Sequence, residues 1–239
     1  MVQLRDLLQT SQTSISLTAS IDSALCVGAG GSTGSLADKP IVRLSNGRLL
    51  IPGSQLKGRL RHECEKLVRG LGWPVCESPD PQSMCPQRAG LSNAADFSEN
   101  DRYRVHGDRR HCLICQIFGN PSLPSRILVD DLVCQEDPDN LPEVLRPGVT
   151  INRRRGTAED QKLYFLETTP VNIQLKFEGV IYFEHNCPEY AKALILAGLH
   201  HIHALGGSKS AGIGWLTWSI DEQEIADDVW DLLVRETAK

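Results

Sequence analysis

Ile51-Pro-Gly-Ser-Gln-Leu-Lys-Gly-Arg-Leu-Arg61 is the stretch on which the reading of the whole chain turns. Pro52 and Gly53 end an apolar segment, and Ser54 stands where a helix N-cap belongs. Leu56, Leu60, Cys64, Leu67, Val68 and Leu71 then recur on one helical face, and Gly70 and Gly72 mark its end. Lys57 and Arg61 lie four apart and share a second face. A helix N-terminus presents unpaired N–H groups and partial positive charge, so Ser54, Lys57 and Arg61 make a candidate phosphate site. The ordinary alternative is an amphipathic surface helix with solvated basic residues.

Working outward from that helix, the positive charge is local. Net charge is −5, which excludes a basic field over the whole protein. Any nucleic-acid role rests on a patch: Lys39, Arg43, Arg48, Lys57, Arg59, Arg61, Lys66 and Arg69 against Glu63 and Glu65. Aromatic residues are 5% of the chain, too few for recognition by rows of stacked rings. The 239 residues suit one large domain carrying an insertion. There is no signal-peptide pattern and no apolar run of membrane-spanning length, so no membrane partner is expected. Eight cysteines in that setting point to a reducing cytoplasm, where they bind metal or stay free.

Upstream of the helix, residues 14–22 alternate Ile15, Leu17, Ala19 and Ile21 with Ser and Thr, as a half-buried strand does. Cys26 to Gly34 is a glycine-rich loop without the Lys-Ser/Thr ending of a nucleotide-binding P-loop. Asp38-Lys39-Pro40 closes it, and Ile41–Leu50 reads as a hairpin turning at Asn46-Gly47.

Downstream, residues 73–127 read as an insertion with little periodicity. Cys112-Leu-Ile-Cys115 together with Cys76 and Cys85 can close a tetrahedral zinc site that orders it. Cys64, His62, His106 and His111 are substitute ligands, and the alternative is free cysteines packed against Ile114, Ile117 and Phe118. Ile127–Val133 reads as one short strand. Residues 146–170 read as a projecting hairpin whose tip carries Arg153, Arg154 and Arg155, either phosphate contacts or a solvated turn. Val171–Phe183 alternates as a long strand. Residues 188–205 read as an amphipathic helix stopped by Gly206-Gly207, before Ser208, Lys209 and a last strand. Ser219 and Glu222 suggest a capping box for an acidic helix over about 221–237. The order predicts an α+β fold close to the ferredoxin-like βαββαβ plan, with helices on one sheet face.

Four segments, in order, resemble one family. Residues 51–61 resemble the "IPGSSLKGxLR" helix start of the RAMP superfamily of CRISPR-associated proteins, and Cys112-Leu-Ile-Cys-Gln-Ile-Phe-Gly119 resembles its "CxxCxLFG" segment. Arg146–Ala158 is similar to its thumb hairpin, with Asn152 where an Asp is usual, and Leu205–Trp215 to its C-terminal glycine-rich loop. The best fit is the repeated backbone subunit of type III (Csm/Cmr-like) effectors. The resemblance implies a single domain over 1–239 with a modified RRM-like palm. Copies of it, or paralogues, and other effector subunits would be stacked along a CRISPR guide RNA paired to complementary target RNA. Ser54, Lys57, Arg61, Gly206, Gly207, Ser208 and Lys209 would hold guide phosphates, and the thumb would kink the duplex.

In that family an aspartate before the "IPGSS" hairpin cuts target RNA with a divalent metal, Mg²⁺ or Mn²⁺. Asp38 occupies the matching position, in a segment reading Leu36-Ala37 where Gly-Ile is usual. Asp22 is the runner-up carboxylate, outside the segments that carry the resemblance. The resemblance thus implies a metal-dependent endoribonuclease. The alternatives are a guide-binding subunit that does not cut, a repeat-processing RNase using a His such as His62, His106, His111, His200, His201 or His203, and a zinc-stabilised interaction module.

Overall fold

Alternation in β1 (Thr13–Ile21) puts Ile15, Leu17, Ala19 and Ile21 on one buried face and the Ser and Thr side chains on the other. Both edges of β1 are paired. β7 (Leu175–Phe183) pairs with it on one side and β8 (Leu216–Ile220) on the other, both antiparallel. The far edge of β7 receives two short strands, β3 (Ile127–Val129) and β4 (Leu132–Cys134), and β2 (Leu50–Ile51) closes on β4. The sheet order is therefore β2-β4-β7-β1-β8, with β3 beside β7. These relations come from a computed structural model that describes residues 13–28, 37–73, 75–80, 83–85, 111–121, 123–171, 173–185, 187–221 and 229–230.

Two helices share one apolar cluster with the sheet: α1 (Gly53–Gly70) and α3 (Tyr190–His200). Between them in sequence lies the short α2 (Leu113–Phe118). α1 and α3 cross at Gly198, where a Cβ would meet Cys64 Sγ at 2.7 Å and Leu60 Cδ1 at 2.9 Å. Each fully buried Leu or Ile in this cluster contributes about 2 kcal/mol by area. The chain is thus a mixed α+β protein with antiparallel sheets. Among the described residues no helix is long and apolar enough to cross a membrane.

The start of α1 differs from the sequence expectation. Pro52 stands at the N-cap with no side-chain cap, and Ser54 lies inside the helix, exposed. The capping group comes from far along the chain, because the Gly53 N–H donates to Asp131 Oδ1 at 2.7 Å. A Cβ on Gly53 would collide with Val129 O and with the Asp130 carbonyl, so only glycine fits. The same contact corrects the strand expected over 127–133, which breaks at Asp130–Asp131 and sends the Asp131 carboxylate to α1.

The long strand also starts later than its alternation suggests. Ile21, the last residue of β1, pairs with Leu175, so Val171, Ile173 and Gln174 have no ladder to join. Val171 and Ile173 are accordingly 47% and 42% exposed. α3 ends at His200, and Ile202 and Leu205 are buried from the loop beyond it.

β5 (Val144–Asn152) and β6 (Thr157–Thr168) form a separate two-stranded sheet, with an irregularity between Val149 and Ile151. Leu145, Val149, Ile151 and Leu163 are exposed on this hairpin. The acidic helix expected at about 221–237 and its capping box fall largely outside the described residues, of which Val229 and Trp230 are helical. His106, most of the insertion and the glycine-rich loop beyond Gly28 also fall outside them.

Candidate nucleic-acid interface

Asp38 is fixed by the root of the hairpin rather than by the main sheet. Its N–H donates to Phe165 O at 3.0 Å, and its Oδ2 accepts the Phe165 N–H at 2.7 Å. Lys39 bridges Leu166 in parallel, and the Glu167 N–H reaches Lys39 O at 3.3 Å. Glu167, 3% exposed, completes the clamp. Its Oε2 accepts the Ile41 N–H at 2.9 Å, and its Oε1 accepts Arg43 Nη2 at 2.8 Å. A buried carboxylate needs this degree of pairing to remain charged. Asp38 itself stays exposed, held at both backbone and side chain.

The glycine-rich loop approaches from the other side. Gly207 N–H donates to Cys26 O at 2.8 Å and Gly214 N–H to Ala24 O at 2.7 Å. The same short segment is tied to the hairpin root, with Leu25 N–H on Thr169 Oγ1 at 2.8 Å and Thr169 N–H on Leu25 O at 2.9 Å. Gly206 has φ +85°, and a Cβ there would strike Cys26 O. Ser208 and Lys209 are exposed, and Lys209 Nζ rests on Gly206 O at 3.0 Å. Cys26, Gly28, Asp38, Lys39, Gln55, Gly206 and Gly207 line one cavity of about 350 Å³, in the range of small-ligand clefts. Burial pushes the Cys26 thiol up, against the pull of Lys39 and with the help of Glu167, so it is a neutral wall.

The structure therefore brings Asp38, Gly206 and Gly207 together and leaves Ser208 and Lys209 at the surface beside them. It does not bring Lys57 and Arg61 there. Lys57 Nζ donates to Ser125 Oγ at 2.7 Å and Ile127 O at 3.3 Å. Burial lowers its pKa, and the neighbouring Arg61 charge lowers it further. The Arg61 guanidinium lies on Glu65 Oε1 at 3.1 Å, Gly119 O at 3.0 Å and Cys115 Sγ at 3.7 Å. Both cations of the basic face thus have protein partners. Asp22, the other candidate carboxylate, is held by Gln174 Nε2 at 2.9 Å and Thr217 Oγ1 at 2.8 Å.

Arg153, Arg154 and Arg155 are exposed at the far end of the hairpin. Asn152 organises that turn: its Oδ1 accepts the Arg154 and Arg155 N–H groups at 3.1 and 3.0 Å, and its Nδ2 donates to Glu159 at 2.6 Å. Arg155 also pairs with Glu159 at 3.3 Å, while Arg153 and Arg154 present their charges outward.

Cys76, Cys85, Cys112 and Cys115 converge, all buried, with their sulfurs within 4.8 Å of one another. Cys76 Sγ lies 3.5 Å from Cys115 Sγ and 3.7 Å from Cys112 Sγ. Hydrogen bonds from Cys112 and Cys115 hold Cys76 low, and the same sharing pushes Cys85 up. Among the described residues none of the substitute ligands joins them, and His106 lies outside those residues. Cys64 is packed in the core with Sγ on Leu194 O at 3.5 Å, its thiol pushed up by burial. His111 is buried with Nδ1 2.9 Å from Asn120 Nδ2, and His62 is exposed.

Glu167 and Thr169 of the clamp are not singled out in the sequence, and Arg43, Cys26 and Gln55 stand out there only as members of the basic patch, the first glycine-rich loop and the 51–61 stretch. Glu167-Thr168-Thr169, three polar residues closing a strand and all buried, is the signal that locates the hairpin root.

The model of the RAMP superfamily matches residues 18–217, from β1 through the glycine-rich loop into β8. The chain belongs to the RAMP superfamily. The match spans Asp38, the hairpin and the cysteine cluster alike. The chain is also similar to the CRISPR system Cms endoribonuclease Csm3 of Methanocaldococcus jannaschii, with 30% identity over 191 residues, which is 74% of this chain. The aligned region spans 65% of that relative's length.

Proposed function

We propose that this RAMP protein is a guide-RNA-binding backbone subunit of a type III CRISPR effector and cleaves complementary target RNA at Asp38. One observation carries the reading: Asp38 and the glycine pair Gly206-Gly207 line the same cavity. Glycines allow a phosphodiester backbone to come close. A carboxylate fixed at that point can orient a ribose 2′-OH for attack on its own phosphate. Among the described residues Asp38 is the one carboxylate in the lining, so it cannot by itself build a cage for Mg²⁺ or Mn²⁺. RNA phosphate and water would complete the shell, as is usual for Mg²⁺. Bound there, the ion would neutralise charge developing on the scissile phosphate.

Guide and target phosphates would meet Ser54, Gly206, Gly207, Ser208 and Lys209 near the cavity, and Arg153, Arg154 and Arg155 at the thumb tip. A ferredoxin-like, RRM-like palm is supported by the strand order and by the two helices that share its core. The exposed apolar residues of the hairpin suit contact with other subunits, including copies of this chain, in a cytoplasmic assembly.

The cysteine cluster fits a structural Zn²⁺. Zinc–sulfur bonds near 2.3 Å in a tetrahedron place sulfurs about 3.8 Å apart. The 3.5 and 3.7 Å separations seen here are close to that. The ion would tie the segment carrying Cys76 and Cys85 to the one carrying Cys112 and Cys115.

The test is Asp38→Ala in the assembled complex, with guide RNA quantified alongside. Target cutting at the position facing this subunit should fall by at least about 10²-fold, as loss of one reacting-centre group does, with guide retention unchanged. Unchanged cutting with guide retained would leave a purely structural guide-binding subunit. The repeat-processing alternative has less support, because no histidine lines the cavity among the described residues.

A further inference from the structure

The basic face of α1 has a destination other than RNA. Arg61 Nη2 reaches Cys115 Sγ at 3.7 Å, while Nη1 holds Gly119 O at 3.0 Å and Nε holds Glu65 Oε1 at 3.1 Å. Three separate acceptors orient the planar guanidinium, a geometry that a flexible ammonium cannot reproduce. One turn earlier, Lys57 grips Ser125 and Ile127 O, where the chain leaves the insertion. The two cations thus clamp α1 to both sides of the segment that follows Cys115.

Four thiolates around a divalent ion carry a net charge of −2, and all four cysteines here are buried. Such a charge needs donors directed at the sulfurs. The Cys112 N–H on Cys85 Sγ at 3.3 Å is one, and it is neutral. The Arg61 guanidinium brings a full positive charge. We propose that Arg61 is the charge partner of the four-cysteine cluster, positioning Cys115 and offsetting the negative charge of a zinc tetrathiolate. The helix of the "IPGSSLKGxLR" motif is thereby locked to the metal knuckle. The proposal rests on the zinc reading above and is independent of whether Asp38 cuts.

The experiment uses the full chain and measures zinc per chain, the rate of zinc release to a colorimetric chelator, and the thiolate-to-metal charge-transfer band after Co²⁺ substitution. The variants are Arg61→Gln, Arg61→Lys and Glu65→Gln. Arg61→Gln should weaken zinc retention by about 10- to 100-fold, the usual effect of losing an outer-shell partner, and shift the Co²⁺ band. Arg61→Lys should fall between it and the wild type. Glu65→Gln, which removes one support of the guanidinium but leaves its charge on Cys115, should stay within about twofold. Should Arg61→Gln fold poorly, the ordering of Arg61→Lys against Glu65→Gln decides the matter.

Wild-type release and an unshifted band in Arg61→Gln, together with weaker RNA binding, would overturn the proposal and return Arg61 to the RNA. Equal acceleration by Glu65→Gln would overturn it in favour of simple packing. A wild-type chain without zinc removes the zinc reading and this proposal together, whereas zinc-loaded wild type with an indifferent Arg61 removes this proposal alone.

Discussion

The first turns of α1 and the glycine-rich loop meet at one cavity, Gln55 from the first and Gly206-Gly207 from the second, yet they present different chemistry to it. The loop turns its backbone toward the cavity and leaves Ser208 and Lys209 in solvent. α1 turns its cations away, Lys57 toward Ser125 and Ile127 and Arg61 toward Gly119 and Cys115. Both regions contain glycine, serine and lysine within a few residues. Sequence spacing sets which face a cation occupies, and only the neighbours packed on that face decide whether its charge is left for a ligand. The same holds for acids: Asp131 caps α1 and Glu167 anchors Arg43, whereas Asp38 remains exposed.

The comparison breaks most sharply at glycine. Gly214 has φ +83°, and a Cβ there would collide with Leu205 O. Gly214→Ala should cost about 3 kcal/mol, read as a lowered midpoint in denaturant unfolding. Gly58, in the middle of α1, has nothing within 4 Å of where its Cβ would stand. Gly58→Ala should therefore stabilise the isolated chain by about 1 kcal/mol. If that variant gains stability but loses RNA affinity, the outer face of α1 lies on the RNA path after all.

The two lysines give a smaller and complementary effect. Lys57→Met should lower stability by about 1 kcal/mol, since it removes a charged donor from Ser125 Oγ and Ile127 O while leaving their mutual hydrogen bond at 2.8 Å, and leave the salt dependence of RNA binding unchanged. Lys209→Gln should leave unfolding unchanged and reduce the slope of log affinity against log salt by about 0.7, the value for one single-strand phosphate contact. The opposite pattern would reverse the assignment of the two regions.

The smallest effect is in the pH dependence of stability. Burial lowers the pKa of Lys57 in the folded chain, so between that lowered value and the ordinary one near 10.4 the unfolded chain binds more protons. Stability contributed through this group should therefore rise with pH across that window. Unfolding by urea at stepped alkaline pH should show a rise in the wild type relative to Lys57→Met. A flat difference would mean that Lys57 is as solvated as Lys209.

Much of the architecture is legible in the order of residues alone. The alternation of 14–22 marks an interior strand, the apolar face of 56–71 marks α1, and the two cysteine pairs announce their cluster, because local period and ligand type are written in adjacent residues. The hairpin is legible too, from two alternating segments around an Arg-rich tip. What is not legible lies in long-range pairing. The break between β3 and β4, the late start of β7 and the capping of α1 by Asp131 depend on partners far away in the chain. So does the clamp of Glu167 on Ile41 and Arg43, which fixes Asp38.

The sequence by itself determined which residues could carry charge, bind metal or form a core, because these are properties of side chains and their local period. The tertiary structure decided which remained available. It buried the cysteines together, closed Asp38 onto Phe165 beside the glycine loop, and gave Lys57 and Arg61 partners within the protein. The physical reason is that a buried or half-buried polar group must find a partner, and whichever neighbour the packing supplies first takes it.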